Sequence, residues 1–231
     1  MNLKEMLSEV LGQSGFIQKQ SYAGSVDVDD IQMVSIANRA AIEIRNFYPW
    51  EQLRKEHLVE MVDGITLYNL PDDFLQYVPD SGWQDMGSRQ IELPVPDGRW
   101  YMYQNSAFSD GGTYRCRLRG QKLEVYEPDP GQTIVFYYVS NAPVVTQDQV
   151  LKERFESDSD EWGLDDQLLI LGIQAYWAET KLLPQAQQWM GNYLRKMNEA
   201  IGRDAGGRTI GGFSRGDRNG SRSPYYPLWR G

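Results

Sequence analysis

One histidine and one cysteine stand in a chain of 231 residues. That scarcity limits the available chemistry before any motif is sought. His57 follows the charged segment RKE and opens an apolar run. It could act as a general base, but a Ser–His or Cys–His pair would have to use this one ring, and no G-x-S-x-G elbow accompanies it. A surface or strand-end histidine is the better reading. Cys116 alternates with Tyr114 and Leu118, the pattern of a core thiol. With one Cys and one His a zinc site lacks a ligand set, and no intrachain disulfide can form.

Acids are plentiful. The segment ESDSDEWGLDD (156–166) holds six of them and begins like a calcium loop, with Asp158 and Asp160 two apart. The pattern then fails, because Trp162 holds the fifth position and Leu169 the twelfth, where a glutamate is required. The segment reads instead as a solvated loop leading into a helix cap. Paired carboxylates for glycoside hydrolysis depend on separation in space, and the spacing singles out no pair. GGRTIGG (206–212) lacks the Lys-Ser/Thr ending of a phosphate loop. Arg115, Arg117 and Arg119 share one face of a proposed strand. They would serve as a basic stripe for DNA or a neighbouring subunit, or else pair across the strand with acids such as Glu124, and the pairing is preferred. The reading has no catalytic, cofactor-binding or metal residue and no cofactor. Arg215-Gly216-Asp217 is a chance occurrence in a segment rich in those residue types.

The elements that would position these residues change type along the chain. Residues 3–11 form a short apolar-faced helix ended by Gly12 and Gly15. Asp27 or Asp29 caps a second helix over about 29–47, with Ile31, Val34, Ala37, Ala41, Ile44 and Tyr48 at 3–4 spacing. The period then shortens. HLVEMV and ITLYNL flank Asp63-Gly64 as two strands around a turn. Further strands are expected over 89–95, 99–105 and 132–140, with a hairpin of TYRCRLRG and QKLEVYEP about Gly120. A short helix is expected at 149–155. A long apolar helix spans 165–183 with Asp165 and Asp166 at its start. After Pro184 a last stripe (Ala186, Trp189, Met190, Tyr193, Leu194, Met197, Ile201) runs to a stop at Gly202. The fold class is α+β. A helical bundle domain comes from 1–56 and 141–201, an inserted antiparallel β domain from 57–140, and an extended C-terminal docking tail from 202–231.

Composition agrees with a folded protein, at 41% hydrophobic and 24% charged residues. The N-terminus lacks the basic flank and apolar run of a signal peptide, so use without Sec export is expected. No stretch approaches a membrane span. The net charge of −9 divides unequally. Residues 202–231 carry six arginines against Asp204 and Asp217, or +4, which leaves −13 on residues 1–201. An acidic body repels nucleic acid phosphates. The basic tail, with Arg208, Arg215, Arg218, Arg222, Tyr225, Tyr226, Leu228, Trp229 and Arg230, reads as a docking segment whose apolar core a partner supplies.

Taken together, ANRA (37–40), WEQL (50–53), DG (63–64), LYNLPDDF (67–74), the β unit and LLILGIQAYWAETKLLPQAQQWMGNYLRKM (168–197) resemble the head-to-tail adaptor proteins of short-tailed bacteriophages. These are also called tail tubular or head-completion proteins. The resemblance spans roughly 1–201. It implies a structural virion protein without catalytic residues. It further implies a ring, typically of twelve copies, beneath the portal protein, which prolongs the DNA channel and receives the tail nozzle or tail fibre proteins. Assembly would take place in the host cytoplasm, with viral DNA passing through unbound and no membrane partner. On this basis the nine tail residues named above would dock on the portal. Two other classes stay open at this point: a cell-wall (peptidoglycan) hydrolase using paired carboxylates, and an Arg/Gly-tailed nucleic-acid-binding module.

Overall fold

The computed structural model describes residues 1–84, 89–105 and 114–210, with side chains as far as Ala205. Helix α1, Leu3–Ser14, opens on a capping box. Asn2 Oδ1 accepts the Glu5 N–H at 2.9 Å, and Glu5 Oε2 accepts the Asn2 N–H at 3.1 Å. It ends at Gly15, whose φ of 77° is the left-handed cap conformation. Of the two glycines expected to end the helix, Gly15 is the cap, and the helix runs through Gly12. Helix α2, Val28–Phe47, is capped by Asp27, which accepts the Asp29 N–H at 2.9 Å. Its buried face is Met33, Ile36, Ala37, Ala40, Ala41 and Ile44, whereas Ile31 is exposed.

After a 3-10 turn at Glu51–Leu53 the chain enters its β region. Strands β1 (Arg54–Glu60), β2 (Leu67–Asn69), β3 (Phe74–Tyr77), β4 (Trp83–Gln84) and β5 (Arg89–Gln90) precede helix α3 (Asp97–Asn105). Then come β6 (Arg115–Arg119), β7 (Lys122–Tyr126), β8 (Thr133–Ser140), β9 (Val144–Val145), β10 (Leu151–Lys152) and β11 (Glu161–Trp162). All pairings between these strands are antiparallel. The long β8 organises one sheet in the order β1-β8-β4-β5, with β3 also on β8. A second sheet runs β2-β7-β6 and a third β10-β9-β11. The β6–β7 hairpin forms as expected, with Gly120 at φ 59° in its turn.

Four expectations for this region are corrected. HLVEMV and ITLYNL do not pair with each other: β1 lies along β8 from Arg54↔Val139 to Glu60↔Thr133, and β2 lies on β7. The β-branched and aromatic run of β8 offers β1 a full ladder, which a two-residue turn at Asp63-Gly64 cannot match. Residues 99–105 are helical, not extended, because Trp100 and Tyr103 fall on one helical face against β6 and β7. The expected strand 89–95 shrinks to Arg89–Gln90, since Pro94 lacks the N–H a continuing ladder needs. Residues 149–155 hold the short strand β10, drawn into a ladder with β9.

The chain closes with helix α4, Asp166–Thr180, and helix α5, Ala186–Ile210. Asp165 caps α4 by accepting the Gln167 and Leu168 N–H groups. Helix α4 is apolar around most of its circumference, as a helix with neighbours on several sides must be. Helices α1, α2 and α5 all pack on it. Helix α1 lies parallel: the Met1 ammonium pairs with Asp166 at 3.2 Å and Gln13 meets Gln174 at 3.1 Å. Helix α2 is antiparallel, with Lys181 just past α4 bonded to Asp29 at 2.7 Å. Helix α5 is also antiparallel, with Arg203 on Asp165 at 2.8 Å. Gly172 permits the close approach, because a Cβ there would lie 3.1 Å from the Tyr193 ring and 3.4 Å from Ala40.

Helix α5 does not stop at Gly202, and residues 202–210 are helical rather than extended. Arg203 and Asp204 both make tertiary bonds, to Asp165 and to the Glu51 N–H, which hold the helix through the glycine. Two hydrophobic clusters result. One gathers α1, α2, α4 and α5, and the other the inner faces of the sheets around Cys116, Leu123, Ile134 and Phe136. Val78 and Val139 of the β region belong to the helical cluster. The back of β8 is thus continuous with the helices.

Candidate assembly surfaces

The acidic segment 156–166 is an internal clasp. Asp158 accepts from the Tyr22 N–H at 3.1 Å, the Ala23 N–H at 2.8 Å and the Ser21 hydroxyl at 2.6 Å. It thereby pins the loop between α1 and α2. Burial alone would raise its pKa, but the bonds from Ala23, Ser21 and Tyr22 outweigh burial and hold it below the usual carboxylate range. Asp160 is buried and accepts the Glu156 and Ser157 N–H groups at 2.7 and 2.9 Å. Asp165 is lowered in the same sense: burial raises it, and Arg203, Lys196 and the Leu168 N–H more than compensate. The cap was legible in the sequence. The solvated loop was not what forms, because two of its carboxylates serve backbone N–H groups. Among the described residues no group of three or more His, Cys, Asp or Glu is placed to hold a metal ion.

Two of the three arginines of the stripe are occupied within the chain. Arg117 bonds Glu124 at 2.7 Å and Asp97 at 3.2 Å, and its guanidinium lies 4.6 Å from the Trp100 ring centroid. Arg115 is buried and lies 4.0 Å from the Tyr103 centroid. Arg119, the third member, ends β6 exposed. The expected cross-strand partner Glu124 is the one found. Helix α3 supplies the aromatic cover, which the strand reading of 99–105 had hidden.

His57 lies within β1, half-buried, edge-on to Phe136 at 5.4 Å between centroids. Its Nε2 is buried without a hydrogen-bond partner among the described residues. Burial lowers its pKa, against the raising effects of the Asn69 backbone and of Asp73. Burial thus favours the neutral ring, which is held against Phe136 and Tyr138. Cys116 is wholly buried, and burial pushes its thiol far above the reactive range.

Two surfaces have the make-up of contact sites. At the Thr180 end of α4, Phe16 stands edge-on to Trp177 at 5.7 Å, and Lys181 joins the same ring while bonding Asp29. Around them Ile17 (86%), Val26 (95%), Val28 (77%) and Leu182 (89%) are exposed. Apolar exposure gathered at one end of a body marks a binding surface more often than scattered exposure does. At the Asp166 end of α4 lies a cleft of about 810 Å³, lined by Trp50, Glu51, Gln52, Arg54, Leu164, Asp165, Leu168, Ala200, Arg203 and Asp204. The sequence pointed to neither surface. Both arise from loops and helix ends brought together by the α1, α2 and α5 packing on α4.

The expected docking residues Arg215, Arg218, Arg222, Tyr225, Tyr226, Leu228, Trp229 and Arg230 lie outside the described residues, as does the side chain of Arg208. Residues 1–216 match the family described as SU10 adaptor protein. The chain belongs to the SU10 adaptor protein family. No curated protein matches it. As a phage adaptor it is a structural component of the virion.

The motifs that carried the resemblance have structural roles in this adaptor. In ANRA, Ala37 and Ala40 are wholly buried, and Asn38 bonds both backbone groups of Phe155. In WEQL, Trp50 and Leu53 are buried, and the Trp50 ring N–H donates to the Ile44 carbonyl at 2.7 Å. In LPDDF, Asp73 accepts from Lys55, from Tyr138 at 2.8 Å and from Ser140 at 2.7 Å, knitting β1, β8 and the turn before β3. Burial would raise Asp73, but these three donors hold it below its ordinary value.

Proposed function

We propose that this protein is the neck adaptor of a short-tailed phage. Copies of the chain, twelve as in the rings of such adaptors, sit beneath the portal, prolong the DNA channel, and present a platform to the tail nozzle or fibres. The observation that carries the reading is the family match over residues 1–216. It takes in the helices, the sheets and the first part of the basic tail.

The physical properties support it. Ring assembly needs two different surfaces on one subunit, so that each copy presents one face to the next. The apolar Thr180 end and the cleft at the Asp166 end of α4 are two such surfaces. A formal charge of −13 over residues 1–201 suits a channel through which DNA slides without adhering, if acids face the lumen. In this proposal residues 1–56 and 141–201 act as one helical unit and 57–140 as an inserted β unit. The segment beyond residue 210 docks on the portal through Arg215, Arg218, Arg222, Tyr225, Tyr226, Leu228, Trp229 and Arg230.

Electron microscopy of the purified protein mixed with the phage's own portal tests this. The expected images are portal complexes bearing an added ring of this chain. A protein that stays monomeric and unbound beside intact portals overturns the reading, as does a ring whose lumen is predominantly basic.

A further inference from the structure

The cleft at the start of α4 lies beside the origin of the C-terminal segment. Arg203 and Asp204 line it, and α5 runs six residues further, about 9 Å along the helix axis, to Ile210. From there fourteen residues, 211–224, lead to Tyr225-Tyr226-Pro227-Leu228-Trp229. Fourteen residues span at most ~46–50 Å, several times the distance back to the cleft.

The cleft and the segment are chemically matched. Trp50, Leu164, Leu168 and Ala200 supply apolar lining, and the charged groups form ion pairs around it, Glu51 with Arg54 at 3.1 Å and Asp165 with Arg203 at 2.8 Å and Lys196 at 3.3 Å. Residues 211–231 carry Arg215, Arg218, Arg222 and Arg230 against Asp217, a net +3 beside a remainder of −12. Aromatic anchors in a pocket with arginines at its rim are the residue types that dominate protein docking energy. Tethering adds an effective concentration that no second molecule matches in dilute solution. The apolar surface around Leu182 is at the other end of α4 and has no such tether beside it.

We propose that, in the unassembled protein, the cleft formed by Trp50, Leu164, Leu168, Ala200 and their rim of ion pairs is occupied by the same chain's residues Tyr225–Trp229. The docking does not depend on the adaptor reading; only its release would occur on a portal. A tail held this way covers its own anchors and keeps free copies from capturing one another. A portal that binds the anchors more tightly then exposes the cleft as it takes the tail.

The test uses the full chain carrying Gln52→Cys and Leu228→Cys, without portal. Gln52 is exposed at the cleft, and the native Cys116 is too buried to interfere. A chain with Leu182→Cys and Leu228→Cys is the reference. Under mild oxidant, the cleft pair is expected to form an intramolecular disulfide at least tenfold faster than the reference, at a rate independent of protein concentration. Equal rates in the two chains overturn the proposal. A concentration-dependent disulfide between chains also overturns it, and would assign the cleft to a second copy. Either failure leaves the portal experiment above untouched.

Discussion

Asn38 pairs with Phe155 as one strand residue pairs with another: its Oδ1 accepts the Phe155 N–H at 2.8 Å and its Nδ2 donates to the Phe155 carbonyl at 3.1 Å. Helix α2 thus holds a segment that no sheet pairs at that point. Arg45, one more buried polar residue of α2, adds bonds to the Asn141 carbonyl at 2.8 Å and to Glu153 at 3.1 Å. The path from β8 back to α4 is fastened to α2 by these side chains.

Asn38→Ala leaves both Phe155 backbone groups without their partner, beside a side chain that is 2% exposed. The expected cost is about 2–3 kcal/mol, the desolvation of groups that lose a buried bond. Asn38→Asp keeps an acceptor but loses the donor, and sets a charge against a carbonyl oxygen, so it is no rescue. Urea unfolding checks this: the midpoint falls in both variants while the slope stays that of the parent.

At Gly172 the prediction depends on size. Alanine there meets the Tyr193 ring at 3.1 Å, tight but near a ring edge, and gains about 1 kcal/mol of helix propensity. The two effects oppose, and Gly172→Ala is expected to lie within about 1 kcal/mol of the parent. Gly172→Leu has no room between Tyr193 and Ala40 and is expected to cost about 2–3 kcal/mol through overpacking. A leucine variant as stable as the parent would show that α5 does not rest on α4 at this point.

How far these contacts were legible in the sequence depends on their range. The caps at Asp27 and Asp165, the Gly120 hairpin and the core thiol at Cys116 were readable, because each follows from a residue and its near neighbours. The α+β class was readable from the change of period. The partners of β1 and β2 were not, since ladder competition with β8 and β7 is decided across more than fifty residues. Residues 99–105 read as a strand because aromatic alternation also satisfies helical spacing, and only the packing of Trp100 and Tyr103 on the arginines of β6 decides between them. Gly202 read as a stop because intrinsic propensity favours one there, but Arg203 and Asp204 reach partners that override it. The cleft and the apolar end were illegible for the same reason: each is made of residues from several elements.

Asp158 should make the α1–α2 loop sensitive to acid. Its folded pKa lies below the unfolded value of 3.8, so its contribution is fully present above about pH 4 and is lost as pH falls through the folded pKa. Asp158→Asn removes the charge at every pH and puts an amide donor where acceptors are needed. Amide exchange at Tyr22 and Ala23 is the measurement. Low protection relative to the intrinsic exchange rate is expected at neutral pH in the variant, and the parent should lose its protection only as the pH falls below about 4.

His57 makes the complementary prediction near neutrality. Burial lowers its folded pKa below 6.5. The unfolded chain therefore binds its proton first, and the stability that comes from a neutral His57 is present above about pH 6.5 and lost as pH falls through the folded value. It is the chain's single histidine, so its ring proton signal can be followed by NMR without assignment by mutation. The midpoint should lie below 6.5. A midpoint above that value would mean that the Asn69 backbone bond and Asp73 together outweigh burial.

The last prediction separates the role of 203–210 from that of the segment beyond. A chain ended at Gly202 loses the Arg203–Asp165 ion pair and the bond from the Glu51 N–H to Asp204. Partly exposed contacts of this kind are worth roughly 0.5–1 kcal/mol each. A loss of 1–2 kcal/mol in a chain of this size lowers Tm by about 2–8 °C. A chain ended at Ile210 keeps both contacts but loses the docked residues Tyr225–Trp229, so it should melt several degrees below the full chain and above the chain ended at Gly202. Both shortened chains lack Arg215 through Arg230 and should fail to attach to portals in a sedimentation assay. If the chain ended at Ile210 joins portals as the full chain does, the docking role belongs to the body and the tail proposal fails. If it melts with the full chain, residues 211–231 do not stabilise the folded body as docking in the cleft requires.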